Sequence, residues 1–131
     1  MVSFPPCGDP DCPMKEAIFL FWRSPYVMEI IYHTLHAGGT IRFKDLEADM
    51  KVSPHTLSRR LKELVAAGVL EREAFDEMPP RVEYRATPRL RALKGVFGPF
   101  FQGMYDWSMA AHPEHAKVHP RPDPRRHLHP S

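Results

Sequence analysis

Apolar positions along the chain repeat with two periods. Val27, Ile30, Ile31, Thr34 and Leu35 recur at helical spacing, as do Phe43, Leu46 and Met50, and then Leu57, Leu61, Leu64 and Val65. Three Pro-containing pairs mark helix starts: Cys12-Pro13, Ser24-Pro25 and Ser53-Pro54, each with a small side chain at the cap and proline at the first helical position. Gly38-Gly39 and Gly68 mark helix ends. The spacing therefore predicts a helix over 14–22, apolar enough to be buried on more than one side or to grip a partner. It predicts a second helix from Ser24-Pro25 to Gly38, a short extended piece at Thr40-Ile41-Arg42, a third helix Phe43–Met50 and a fourth from Ser53 to Ala67.

Residues 69–75 and 81–87 change period to two: Val82, Tyr84 and Ala86 alternate with Glu83 and Arg85. With Asp76-Glu77-Met78-Pro79-Pro80 between them, they predict a β-hairpin. After it, Leu90, Leu93, Phe97, Phe100, Phe101, Met104 and Tyr105 form an aromatic-rich helical stripe, with a break expected near Gly98-Pro99. The fold class is mainly α with a small β-hairpin (α+β). A short helix, a tight connection, a second helix and a hairpin are the parts of a winged helix-turn-helix.

Prolines crowd the two ends: Pro5, Pro6, Pro10 and Pro13, then Pro113, Pro120, Pro122, Pro124 and Pro130. Residues 1–11 read as an irregular leader, 12–110 as the winged-helix domain, and 111–131 as a disordered tail rich in Pro, His and Arg. The 131 residues allow one modest core, burying roughly two-thirds of the unfolded surface. No apolar run approaches the ~20 residues of a membrane span, so no membrane partner is expected. The start, Met1-Val2-Ser3-Phe4, has no basic or long apolar region of the secretory kind. Two cysteines, Cys7 and Cys12, make no disulfide framework, and the cytoplasm is the expected compartment.

A net charge of +2 excludes a histone-like binder but leaves localised basic surfaces open. The fourth helix supplies one. At 100° per residue its leucines share a face, and the opposite face carries His55, Thr56, Arg59, Lys62 and Glu63, flanked by Ser58 and Arg60. A helix entering the major groove needs such a face, with base readers near its N-terminal end and cations or hydroxyls at its flanks. Arg59 suits a bidentate contact to guanine. His55 and Thr56 suit bases or backbone; Ser53, Ser58, Arg60 and Lys62 suit phosphates. In the hairpin Arg81 is the cation placed to touch DNA, or else to pair with Glu77 or Glu83. The 69–88 segment holds five acids against three bases.

Several motifs resemble HxlR-type transcriptional regulators: Cys12-Pro13, Arg42-Phe43-Lys44-Asp45-Leu46, the run from Val52 to Leu64, Ala67-Gly68-Val69-Leu70-Glu71-Arg72, and Pro79-Pro80-Arg81-Val82-Glu83-Tyr84. The resemblance covers about residues 12–110. It implies a homodimeric regulator of double-stranded DNA with a pseudo-palindromic operator, whose first and last helices make the dimer contact. Here those helices offer Phe19, Phe97, Phe100, Phe101 and Met104. Relatives that sense oxidants do so through a cysteine near the N-terminus, and Cys12 matches that position. A helix dipole and Lys15 would favour its thiolate, and Asp9, Asp11 and Glu16 would oppose it. A redox or small-molecule inducer follows as an expectation.

His112, His115, His119, His127 and His129 lack compact zinc spacing, so no metal and no cofactor is expected. No phosphate-cradling glycine loop, His-Glu-x-x-His helix or Gly-x-Ser-x-Gly elbow occurs, and a non-enzyme is expected. Two other readings stay open. One is a winged-helix protein-interaction module without specific DNA reading, which the acidic hairpin suits. The other adds a ligand pocket among Phe97, Phe100, Phe101, Met104 and Trp107.

Overall fold

The structure, a computed structural model, describes residues 12–117. Both the leader (1–11) and residues 118–131 of the expected tail lie outside that range. Helix α1 (Pro13–Ile18) opens behind Cys12 and runs on into a π-helical segment, Phe19–Arg23. Its apolar run is not enclosed by the chain: Phe19 and Trp22 are each about 60% exposed.

Ser24-Pro25 departs from its expected role as a helix start. The Ser24 N–H donates to the Phe19 carbonyl at 3.0 Å, so Ser24 closes the preceding segment in an extended conformation. Helix α2 (Val27–His36) begins behind Tyr26, whose φ of 69° is left-handed. For a non-glycine residue that conformation costs roughly 1–2 kcal/mol. The burial of Val27, Ile30, Ile31 and Leu35 at the centre of the core offsets it. At the other end Gly38 and Gly39 take positive φ, and their N–H groups donate to Leu35 and Thr34.

Strand β1 (Thr40–Arg42) leads into α3 (Phe43–Met50). A left-handed Lys51 turns the chain toward α4 (Pro54–Ala66), which Gly68 ends. Strands β2 (Leu70–Phe75) and β3 (Arg81–Ala86) make the expected hairpin. The sheet has a third member that the alternation did not foretell. Its order is β1-β3-β2, all antiparallel, with Ile41 opposite Tyr84 and Leu70 opposite Ala86. A strand of three residues has no period of its own to read. Its register comes from Ile41, the one buried residue in it.

The break in the late helical region falls at Ala92-Leu93 rather than at Gly98-Pro99. A short α5 (Pro88–Arg91) precedes α6 (Lys94–Ala111), which passes through Pro99. Pro99 forfeits one helical hydrogen bond. Phe97 and Phe101 on either side of it are buried, and their packing carries the helix across. The expected tail is also corrected at its start: α6 reaches Ala111, and Pro113–Lys117 form a 3-10 turn.

Thr87 joins the hairpin to the helices after it. Its hydroxyl lies 2.6 Å from the Gly68 carbonyl and 3.0 Å from that of Val69, and it accepts the Leu90 N–H as cap of α5. Thr87→Val keeps the shape but loses the cap and the bond to 68–69. We expect a loss of about 1–2 kcal/mol by urea unfolding, with Thr87→Ser retaining most of it. Equal midpoints for Thr87→Val and the parent chain would refute this role.

Candidate nucleic-acid interface

The N-terminus of α4 is closely specified. Ser53 Oγ accepts the Thr56 N–H at 3.2 Å and donates to Thr56 Oγ1 at 2.9 Å, while Pro54 needs no N–H partner. At the C-terminus an Arg89 Nη1–H donates to the Ala67 carbonyl at 2.6 Å, a cation at the negative end of the helix. Leu57, Leu61 and Leu64 are buried completely or nearly so. They fix the rotation of α4 about its axis, and His55, Arg59 and Lys62 are exposed on the other side, with Thr56 and Ser58 half-buried between. Among the described residues Arg59 and Lys62 have no acid partner. Val65, expected with the leucines, is instead 36% exposed, because α4 has a cleft beside it there.

Two expected contact residues are engaged within the chain. Arg60 folds onto Glu63 at 2.7 Å, and its side chain is largely enclosed. Arg81 pairs with Glu77 at 3.1 Å and Glu83 at 3.2 Å, and its guanidinium carbon lies 3.9 Å from the centre of the Phe75 ring. Arg85 is likewise held by Glu73 at 3.0 Å and Glu71 at 3.7 Å. To meet a phosphate, Arg81 would have to leave two carboxylates and a ring. The sequence reading also passed over Arg42, Lys44 and Arg72, which stand with Lys62 around the cleft between α4 and the hairpin. Arg72 had a signal: it occupies an inward parity between Leu70 and Ala74.

The residues expected at a dimer contact divide. Phe97 and Phe101 belong to the core of the chain itself, where they stack on each other at 5.9 Å and meet Phe21 and Tyr32 edge-on at 5.6 and 5.1 Å. Burial there raises the Tyr32 phenol pKa above its ordinary value, and the Tyr105 phenol adds to the rise. Phe19, Phe100 and Met104 remain exposed, and Trp22 meets Phe100 edge-on at 6.0 Å, so α6 and the π-helical segment after α1 share one apolar surface. Cys12 is buried. Among the described residues no three His, Cys, Asp or Glu gather as metal ligands; Cys7, His119, His127 and His129 lie outside that range.

The comparisons agree with this architecture. The family model described as HxlR-like helix-turn-helix matches residues 24–116. The HTH-type transcriptional regulator YvaP of Bacillus subtilis is 33% identical over 97 residues, 73% of this chain and 88% of that one. YodB, an HTH-type transcriptional regulator of the same organism, is 33% identical over 106 residues, 77% of this chain and 86% of its own. The reduced form of YodB superposes with a TM-score of 0.54 at 32% identity, over 75% of this chain and 91% of that one. The redox regulator HypR in its oxidized form superposes with a TM-score of 0.58 at 26% identity, over 76% and 96%.

The difference between free and engaged cations is measurable. Lys62→Ala is expected to flatten the salt dependence of duplex binding by about one unit of log–log slope. Arg81→Ala should leave the slope unchanged. Equal changes for the two variants would place Arg81 on a phosphate after all.

Proposed function

Since the chain belongs to the HxlR-like helix-turn-helix family of DNA-binding transcription regulators, we propose that it binds its operator as a homodimer, with α4 in the major groove and the β2–β3 hairpin as wing. The observation that carries this reading is the solvent face of α4. It presents His55, Arg59 and Lys62 in a row, away from the leucines, and the acid on that side, Glu63, is taken up by Arg60 at 2.7 Å. Arg59 reads a base; Thr56, Ser58 and Lys62 hold the backbone; Ser53 fixes the start of the helix. Arg60 and Arg81 act as supports of α4 and the wing.

The apolar surface shared by the π-helical segment and α6 supports the dimer, because Phe19, Trp22, Phe100 and Met104 are all exposed on it and a contiguous apolar patch marks an interaction surface. Two-fold symmetry then sets two α4 helices about one DNA turn apart on a pseudo-palindromic site. The compartment we assign is the cytoplasm. An inducer that is small or oxidising fits the company of HypR, whose own description is that of a redox regulator, with Cys12 as the thiol in question. A protein-interaction role is the second reading, favoured by a wing whose Arg81 and Arg85 are held by its own acids.

Selection of duplexes from a randomised library, at two salt concentrations, tests the first reading. A two-fold symmetric motif with salt-sensitive affinity is expected. Arg59→Ala should cost about 1–3 kcal/mol on the selected site and relax one base position in each half. Equal losses on selected and random DNA would remove Arg59 as a base reader, and no enriched motif would favour the interaction module. Sedimentation showing a monomer at working concentration would refute the dimer.

A further inference from the structure

Between α4 and the hairpin lies a cleft of about 720 Å³, a size typical of small-molecule sites. We infer that it binds a small aromatic carboxylate, which acts as an effector of DNA binding. The effector role rests on the DNA-binding reading above; the binding itself does not.

The floor is apolar. Val65 and Ala66 of α4 face Val82 and Tyr84 of β3 across it. Val65 has the helical phase of a core residue, yet 36% of it is left exposed by the described residues. Covering such a floor stabilises in proportion to the apolar area removed from water, so the occupant has an apolar body.

The rim is cationic. Arg42, Lys44, Lys62 and Arg72 stand around it, and among the described residues none of them has an acid partner. Glu77 is the one acid in the lining, and Arg81 holds it at 3.1 Å. Arg72 is the most telling of the four. It is directly opposite Tyr84 in the β2–β3 register, hence on the inward side of the sheet, where alternation calls for an apolar side chain. A guanidinium there, without a carboxylate, offers a planar two-pronged donor that matches a carboxylate.

Floor and rim together select the class. An inorganic or nucleic-acid phosphate would satisfy the rim and leave the floor wet. A neutral hydrocarbon would cover the floor and leave four cations uncompensated. An aromatic ring bearing one carboxylate covers the floor and meets the Arg72 guanidinium, while the exposed Arg42, Lys44 and Lys62 keep their contact with water. Ser58 and Lys62 belong to the cleft wall as well as to the DNA side of α4, so a bound acid that draws Lys62 inward weakens the hold on DNA. By linkage, DNA weakens the hold on the acid to the same degree.

Calorimetric titration of the full chain with benzoate and 2-naphthoate tests this, with 2-naphthamide as the neutral twin. One saturable site for 2-naphthoate is expected, with the amide about tenfold weaker and Arg72→Gln costing the acid about tenfold. In NMR titration the Val65 methyl and Tyr84 ring signals should move with 2-naphthoate; this decides the matter should Arg72→Gln fail to fold. Duplex affinity should fall in saturating 2-naphthoate. Failure of both acids to bind, or equal binding of acid and amide, overturns the site. Loss of DNA affinity in Arg72→Gln, in a chain that ignores 2-naphthoate, makes the cleft a phosphate seat and also overturns it. Unchanged duplex affinity in saturating acid overturns the effector role. Naphthoate binding by a chain that binds no DNA supports the site while refuting the function proposed above.

Discussion

Everything that α4 offers to solvent depends on where its three leucines go. Leu57, Leu61 and Leu64 lie against a core built on α2, whose Val27, Ile30 and Ile31 are wholly buried. Each leucine contributes a few kcal/mol on burial, and all three are satisfied at only one rotation of the helix. That rotation turns Arg59 and Lys62 outward. The ends of α4 are held separately, by Ser53 at the start and by Arg89 on the Ala67 carbonyl at the finish. Position, rotation and length of the helix are thus set by different side chains, none of which is needed to touch DNA.

The hairpin obeys a different rule. Its outer face carries Glu71, Glu73 and Glu83 among Arg81 and Arg85, and these charges close on one another. Such exposed pairs contribute little to stability. Their effect is on the surface field, because they tie up Arg81 and Arg85 and leave the 69–88 segment, with five acids against three bases, acidic beside a cationic helix and a cationic cleft. Positive potential is therefore concentrated at α4 and at the gap beside it, although the whole chain carries only +2.

Much of this was legible in the sequence because it rests on local chemistry. Phe43–Met50 is read to the residue from Phe43, Leu46 and Met50, and α4 from Ser53-Pro54 and Gly68. Failures occur where tertiary contacts override a local signal. Ser24-Pro25 carries a start signal, but Ser24 is claimed by the end of the preceding segment. Gly98-Pro99 carries a break signal, but Phe97 and Phe101 outweigh it. At the interface, spacing foretold which side of α4 faces out, and it offered Glu77 or Glu83 as partners of Arg81; it could not foretell that Arg60 finds Glu63 or that Arg81 takes both acids and the Phe75 ring. The cleft was missed for the same reason, since it joins residues from α3, α4 and both hairpin strands.

Among the described residues the sheet order β1-β3-β2 leaves β2 with one flank unpaired. An open flank is a template for further strands, and proteins with long apolar edges polymerise through them. Here the middle of that strand reads Glu71-Arg72-Glu73, all exposed. A strand added alongside would set its own side chains against fixed charges on both faces of the sheet, and a second copy of β2 would bring acids toward acids. The charge that quiets the wing toward DNA thus also guards against fibrous self-association.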